Sequence, residues 1–283
     1  MKLDELESVF KSAAKSRFRA QSVSLTNILL VTDLEGEELR QYQQSVTEFL
    51  DPLSSQFELN HFSAGAEDHL DALVNQVKTN PPDMICTYRN LNSGAWQYGY
   101  SLGEHLDLMT QSTDIPVLVL PNPKAEKDWK NLIQRPSSIM VVTDHLTGDD
   151  RLVSYGLAFT PNEGSLFLSH VEDEVWYQRF LDYISKIPDI DTDVAKEKIS
   201  NQLIKEPSEY AQTVSDKLKE EGSNQKLEIK VTVGQELAVY REWLQEHSID
   251  LVVLNTKDDH QMAMSGFAHA FAVEFSNVPT LML

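Results

Sequence analysis

Short, wholly apolar runs alternate along this chain with stretches of helical period, and the same order of elements occurs twice. Each series opens on a buried-type strand that ends in Thr-Asp, Ile28 to Asp33 and then Ile139 to Asp144. Each later has a strand of alternating polarity that closes on glycine, Leu59 to Gly65 and Ile229 to Gly234. Alternation of that length predicts a half-buried strand. An amphipathic helix follows each glycine. Leu70, Leu73, Val74 and Val77 fall on one helical face in the first series, and Leu237, Tyr240 and Leu244 in the second. The runs Asp83 to Thr87 and Asp250 to Leu254 come next, apolar enough for strands covered on both faces. After a loop and a further helix, each series ends on a strand opened by proline, Pro116 to Leu120 and Pro279 to Leu283. Strands that alternate with helices imply parallel sheets with right-handed crossovers.

The two series differ in length. The interval from Asp144 to Gly234 is nearly three times that from Asp33 to Gly65. The added residues hold a strand, Ser165 to Val171, and a mainly helical stretch from about Glu174 to Gly222. The first series is therefore expected to form four strands and the second five. The organisation expected is an N-terminal helix within 1–25, with Leu3, Leu6, Val9 and Phe10 on one stripe, that caps the first domain. That trimmed domain covers 26–121, a proline-bounded linker follows, and a complete domain covers 137–283. The two last strands, apolar at nearly every position, are expected to pair antiparallel and join the domains as an intramolecular pseudo-dimer, since an apolar open edge invites pairing.

At these residues the chain resembles the universal stress protein family, whose domains share the adenine nucleotide alpha hydrolase-like fold. The features that carry the resemblance are the first strand ending in Asp, a second strand closing on His170-Val171, Gly234 at the end of the third, and Asp250-Leu251-Val252-Val253 entering the fourth. The resemblance implies two doubly wound α/β domains in tandem, a cytoplasmic location and, in some members, bound ATP. It also implies a ligand crevice at Asp144, His170, Val171, Gly234, Asn255 and Gly266. ATP-binding members carry Gly-x2-Gly-x9-Gly-[Ser/Thr], whose glycines let backbone N–H groups approach phosphate at a helix N-terminus. Thirteen residues before Pro279 stands Gly266, and thirteen before Pro116 stands Gly103. The rest of the motif is missing. Phe267 replaces the hydroxyl residue, Asn255 and Asp258 replace the earlier glycines, and Glu104 follows Gly103. No cofactor is therefore expected. The reading is a stress-related protein that senses a ligand or binds a partner and is not an enzyme. The alternative is an ATP-binding member with a variant phosphate loop and slow ATPase activity. Asp33 and Asp144 stand where adenine-binding members use theirs, and equally suit capping of local backbone.

Composition narrows the remaining classes. The net charge of −20 disfavours nucleic acid and anionic membrane as partners. A single cysteine, Cys86, excludes an internal disulfide and suits a reducing compartment. The N-terminus lacks the apolar stretch of a signal peptide. No P-loop, nucleophile elbow or His-Glu-x-x-His helix is present. The run Asp189 to Asp193 lacks the later ligands of a calcium loop and is better read as a helix start. His145, His170, His260 and His269 lack helix ligand spacing and are read as scattered rather than metal-binding. Trp96, Tyr98 and Tyr100 are read as packing residues.

Overall fold

The computed structural model describes residues 17–53, 56–65, 69–98, 100–143, 148–187, 191–257 and 264–283. The N-terminal part runs β1 (Asn27–Thr32), α1 (Gly36–Phe49), β2 (Glu58–Ser63), α2 (His69–Thr79), β3 (Met84–Tyr88), α3 (Glu104–Ser112) and β4 (Val117–Leu120). A short helix, α4 (Trp129–Leu132), lies in the connection that was expected to be plain linker. The C-terminal part runs β5 (Ser138–Val142), α5 (Asp150–Phe159), β6 (Ser165–Asp173), α6 (Glu174–Ser185) and α7 (Thr192–Glu220). It continues with β7 (Lys226–Gly234), α8 (Glu236–Glu246), β8 (Leu251–Leu254), α9 (Gly266–Glu274) and β9 (Thr280–Met282).

Among the described residues all nine strands form one sheet in the order β2-β1-β3-β4-β9-β8-β5-β6-β7. Neighbouring strands are parallel except at one junction, where β4 and β9 run antiparallel with Val117 opposite Met282, Leu118 opposite Leu281 and Val119 opposite Thr280. The pairing of the two proline-led strands is thus present in the structure. Four strands lie on one side of this junction and five on the other, and β6, Ser165 to Asp173, is the one without a counterpart. Every residue of β3, β4, β8 and β9 is buried, as strands covered on both faces require. Edge strands β2 and β7 instead hold only partly and fully exposed positions.

Side chains lace the two parts together. The buried Arg89 guanidinium donates to the carbonyls of Ala272 (3.2 Å) and Val273 (3.4 Å) in the last turn of α9 and to Ser101 O (2.8 Å). A cation suits the partial negative charge of a helix C-terminus. The chain before β1 also crosses over. Phe18 N donates to Thr213 Oγ1 (2.9 Å), its ring packs edge-on to Tyr210, and Gln21 N donates to Ser154 Oγ (3.0 Å). Residues 17–26 are not helical; Phe18 and Gln21 pack on α7 and α5 of the C-terminal part, and Thr26 donates to Asp83 of the first. Residues 1–16, which hold most of the expected helix, lie outside the described residues.

The stretch from Glu174 to Gly222 is two helices. Asp191 caps the second by accepting from Asp193 N and Val194 N, so the acidic run does start a helix there. No described helix is long and apolar enough to cross a membrane.

Candidate functional site

In a doubly wound sheet, ligands bind beyond the C-terminal ends of the strands, where the strand order reverses. Here that places one crevice between β1 and β3 and a second between β5 and β8.

The first crevice is closed by the protein itself. Asp33 leaves the end of β1 with its side chain only 4% exposed. One carboxylate oxygen accepts from Lys124 Nζ (2.6 Å) and Asn92 N (2.8 Å), and the other accepts from the Tyr88 hydroxyl in a short contact. Burial alone would raise the Asp33 pKa, but Lys124, Tyr88 and the Asn92 amide together hold it below the ordinary carboxylate value. Burial and Asp33 in turn push the Tyr88 phenol up. The loop beyond is pinned as well. Gly103 starts α3 with φ of 92°, and a Cβ there would meet the Asn90 backbone at 2.8 Å. Glycine is thus required by close packing of this loop, with Glu104 in the first helical turn where a phosphate would otherwise lie. Lys124 escaped sequence reasoning because it sits 91 residues from Asp33, in the proline-rich connection.

The second crevice is built differently. Asn255, just past β8, donates its amide to Asp149 Oδ2 (2.6 Å). Asp149 caps α5 through Leu152 N (3.2 Å) and receives the Thr143 hydroxyl at 3.5 Å. Burial raises the Asp149 pKa, and these donors only partly offset it. His170, buried on β6, contacts Thr143 O through Nδ1 (2.9 Å) and faces Glu172 Oε2 through Nε2 (3.4 Å). Among the expected site residues, Asn255 and His170 therefore converge, through Asp149 and Thr143, on the end of β5. Val171 is a core residue, 2% exposed. Gly234 ends β7, where a Cβ would strike Val239 Cγ2 at 2.9 Å, so its smallness serves the turn into α8. Gly266 opens α9 with open space around its missing side chain, while Ser265 caps that helix through Ala268 N (3.1 Å). Asp144 lies outside the described residues, as do His145, Asp258 and His260. Asp149 was not singled out from the sequence, although its place five residues after a Thr-Asp strand end and at the start of a helical stretch marks it as a cap.

Two further expectations are revised or bounded. Tyr98 and Tyr100 are 66% and 82% exposed, so these loop aromatics are not packing residues. Among the described residues no group of His, Cys, Asp and Glu could hold a metal ion. An open groove of about 590 Å³ between α1 and α4 lies at the opposite edge of the sheet from both crevices. Its charges are of mixed sign, with Arg135 and Asp51 paired at 3.0 Å.

No protein-family model matches this chain, and no curated protein matches it. Solved structures do. A functionally unknown protein from Pseudomonas aeruginosa PAO1 is similar at 12% identity over 92% of each chain, with a TM-score of 0.50. A universal stress protein from Archaeoglobus fulgidus DSM 4304 is similar at 10% identity, covering 90% of this chain and 97% of the other, with a TM-score of 0.51. With the parallel-dominated nine-stranded sheet, that likeness gives the chain a universal-stress-protein-like α/β fold.

Proposed function

We propose that this protein is a tandem, cytoplasmic member of the universal stress proteins that works by binding a small ligand or a protein partner, without ATP and without catalysis. The observation that carries the reading is the ion pair of Lys124 with Asp33, which puts the protein's own ammonium and two further donors on the carboxylate that an adenine would need. The second crevice supports it. Asn255 is held by Asp149, a part-buried carboxylate at the start of α5, and the α9 N-terminus is capped by Ser265. Each backbone donor withheld from phosphate removes a charge-assisted hydrogen bond of roughly 1.5–3 kcal/mol. The second crevice is the candidate ligand site, with His170 and Glu172 as its polar wall.

Titration calorimetry with Mg-ATP tests the reading. The expected dissociation constant is weaker than about 1 mM, or −4 kcal/mol. A micromolar constant that Asp144→Ala abolishes would overturn it in favour of an ATP-binding protein with a variant loop.

A further inference from the structure

Among the described residues, β7 closes one end of the sheet with no strand beyond it. Lys226 N donates to Gly164 O (2.8 Å), and the parallel register with β6 runs unbroken from there to Gly234. The even-numbered residues therefore turn their backbone groups to β6. Leu227, Ile229, Val231 and Val233 turn theirs outward. Natural sheets usually blunt such an edge with charge or proline. β7 instead carries charges of both signs, Lys226 and Glu228, which are exposed, and Lys230, which is half-buried. None of the three forms an ion pair among the described residues.

We propose that this edge pairs with β7 of a second copy of the chain, antiparallel about a twofold axis at Ile229. Hydrogen bonding restricts the registers first. Residues that face outward must lie opposite others that do, so odd positions pair with odd and even with even. Charge then selects among these. With the axis at Ile229, Leu227 lies opposite the second copy's Val231, Lys226 opposite Thr232, and Glu228 opposite Lys230, each pair occurring twice by symmetry. An axis at Glu228 would set that acid against itself and Lys226 against Lys230. An axis at Lys230 would set that lysine against itself, and one at Val231 leaves Glu228 opposite Gly234. An axis at Leu227 pairs Lys226 with Glu228 but keeps only residues 226–228 of the strand in the ladder, where the axis at Ile229 keeps 226–232.

The side chains suit the same register. Glu228 and Lys230 fall at positions without mutual backbone bonds, where antiparallel Cα atoms come within about 4.5 Å and side chains meet most closely. Leu227, Ile229 and Val231 point to the other face of the sheet, where the same residues of the second copy would cover Ile229, now 36% exposed. The opposite edge offers no such match. β2 carries Glu58 and neither lysine nor arginine, so no register of it sets opposite charges together. Pairing through β7 uses up that edge on both copies and stops at a dimer.

Sedimentation equilibrium on the full chain tests the proposal. The parent is expected to be a dimer of the 32.1 kDa chain at about 100 µM. Glu228→Lys and Lys230→Glu each set like charges opposite one another and should weaken association by about tenfold or more. The double exchange Glu228→Lys/Lys230→Glu restores the match and should restore the dimer. Ile229→Pro removes an outward N–H that makes no bond to β6, so circular dichroism should show the fold intact while the chain becomes monomeric. The charge exchanges keep the test independent of that variant. A monomeric parent would overturn the proposal and leave the edge to a strand of another protein. A dimer that survives Ile229→Pro or either single exchange would place the contact elsewhere. Failure of the double exchange to recover what the single ones lose would refute the register.

Discussion

Truncating Leu118 and Leu281 to alanine, singly and together, probes the one antiparallel junction of the sheet. The backbone of β9 shows how the two side chains meet. Leu283 N donates to Leu254 O and Pro279 O accepts from Val252 N, so the odd-numbered residues of β9 turn their backbone groups to β8. Thr280 and Met282 therefore face β4. Pro116 O accepts from Ile85 N, so Leu118 faces β3 in the same way. Leu118 and Leu281 are then a pair without mutual backbone hydrogen bonds, the kind in which antiparallel Cα atoms come within about 4.5 Å and side chains pack most closely. Both are 0% exposed. Each truncation is expected to cost about 3 kcal/mol, the lower part of the range for a buried leucine. The double variant should cost less than their sum by roughly 0.5–1 kcal/mol, the interaction that a cross-strand pair shares. Urea unfolding followed by both circular dichroism and tryptophan fluorescence gives the three free energies. Additivity within about 0.3 kcal/mol would show that the side chains do not meet and would refute the junction. A proline probe must respect the same alternation: Met282→Pro removes a donor to β4, whereas Leu281→Pro removes one to β8.

Two further outcomes concern the crevices. Lys124→Met should destabilise by about 1–2 kcal/mol at pH 7, discounted because the ammonium is partly in water. The Asp33 pKa is lowered in the fold, so the stabilisation is present above the unfolded value near about 4 and is lost as pH falls through the folded one. The gap in melting temperature between parent and variant should therefore close below about pH 4, and a gap that persists there would contradict the assignment. Asp149 has the opposite sign, since its raised pKa makes the buried charge costly above the folded value and harmless below it. Asp149→Asn keeps a capping oxygen but turns an amide N–H towards the Asn255 amide, so its net cost in melting temperature should be smaller at pH 8 than at pH 4, and an equal loss at both would show that burial of the charge does not set the raised pKa.

What the sequence disclosed follows from how local each signal is. The buried strands, the four-against-five count and the β4–β9 pairing were legible because continuous apolar runs have few homes other than a doubly covered sheet. The Asp191 cap was legible as an acid before a helical stretch. The closure of Asp33 was not, because its meaning depends on a lysine brought from beyond β4, and nothing in the spacing of one residue announces the other. The crossing of Phe18 and Gln21 onto α7 and α5 was hidden for the same reason. Its anchors are single hydroxyls and backbone amides without periodicity. The exposed aromatics were misread because a tyrosine in a loop has the same letter whether it packs or points into water.

The place of β9 in the sheet also sets a schedule for synthesis. Every strand but β9 precedes it in the chain, yet β9 sits between β4 and β8. At a translation rate of about 5–20 residues per second, the ribosome delivers Thr280 on the order of ten to thirty seconds after Leu120. During that interval the buried edge of β4 has no partner, and it is an apolar edge of the kind that recruits foreign strands. Newly made chains should therefore depend on holding chaperones more than the finished sheet suggests. A truncation before Thr280 should leave a chain prone to aggregate, not a smaller stable protein.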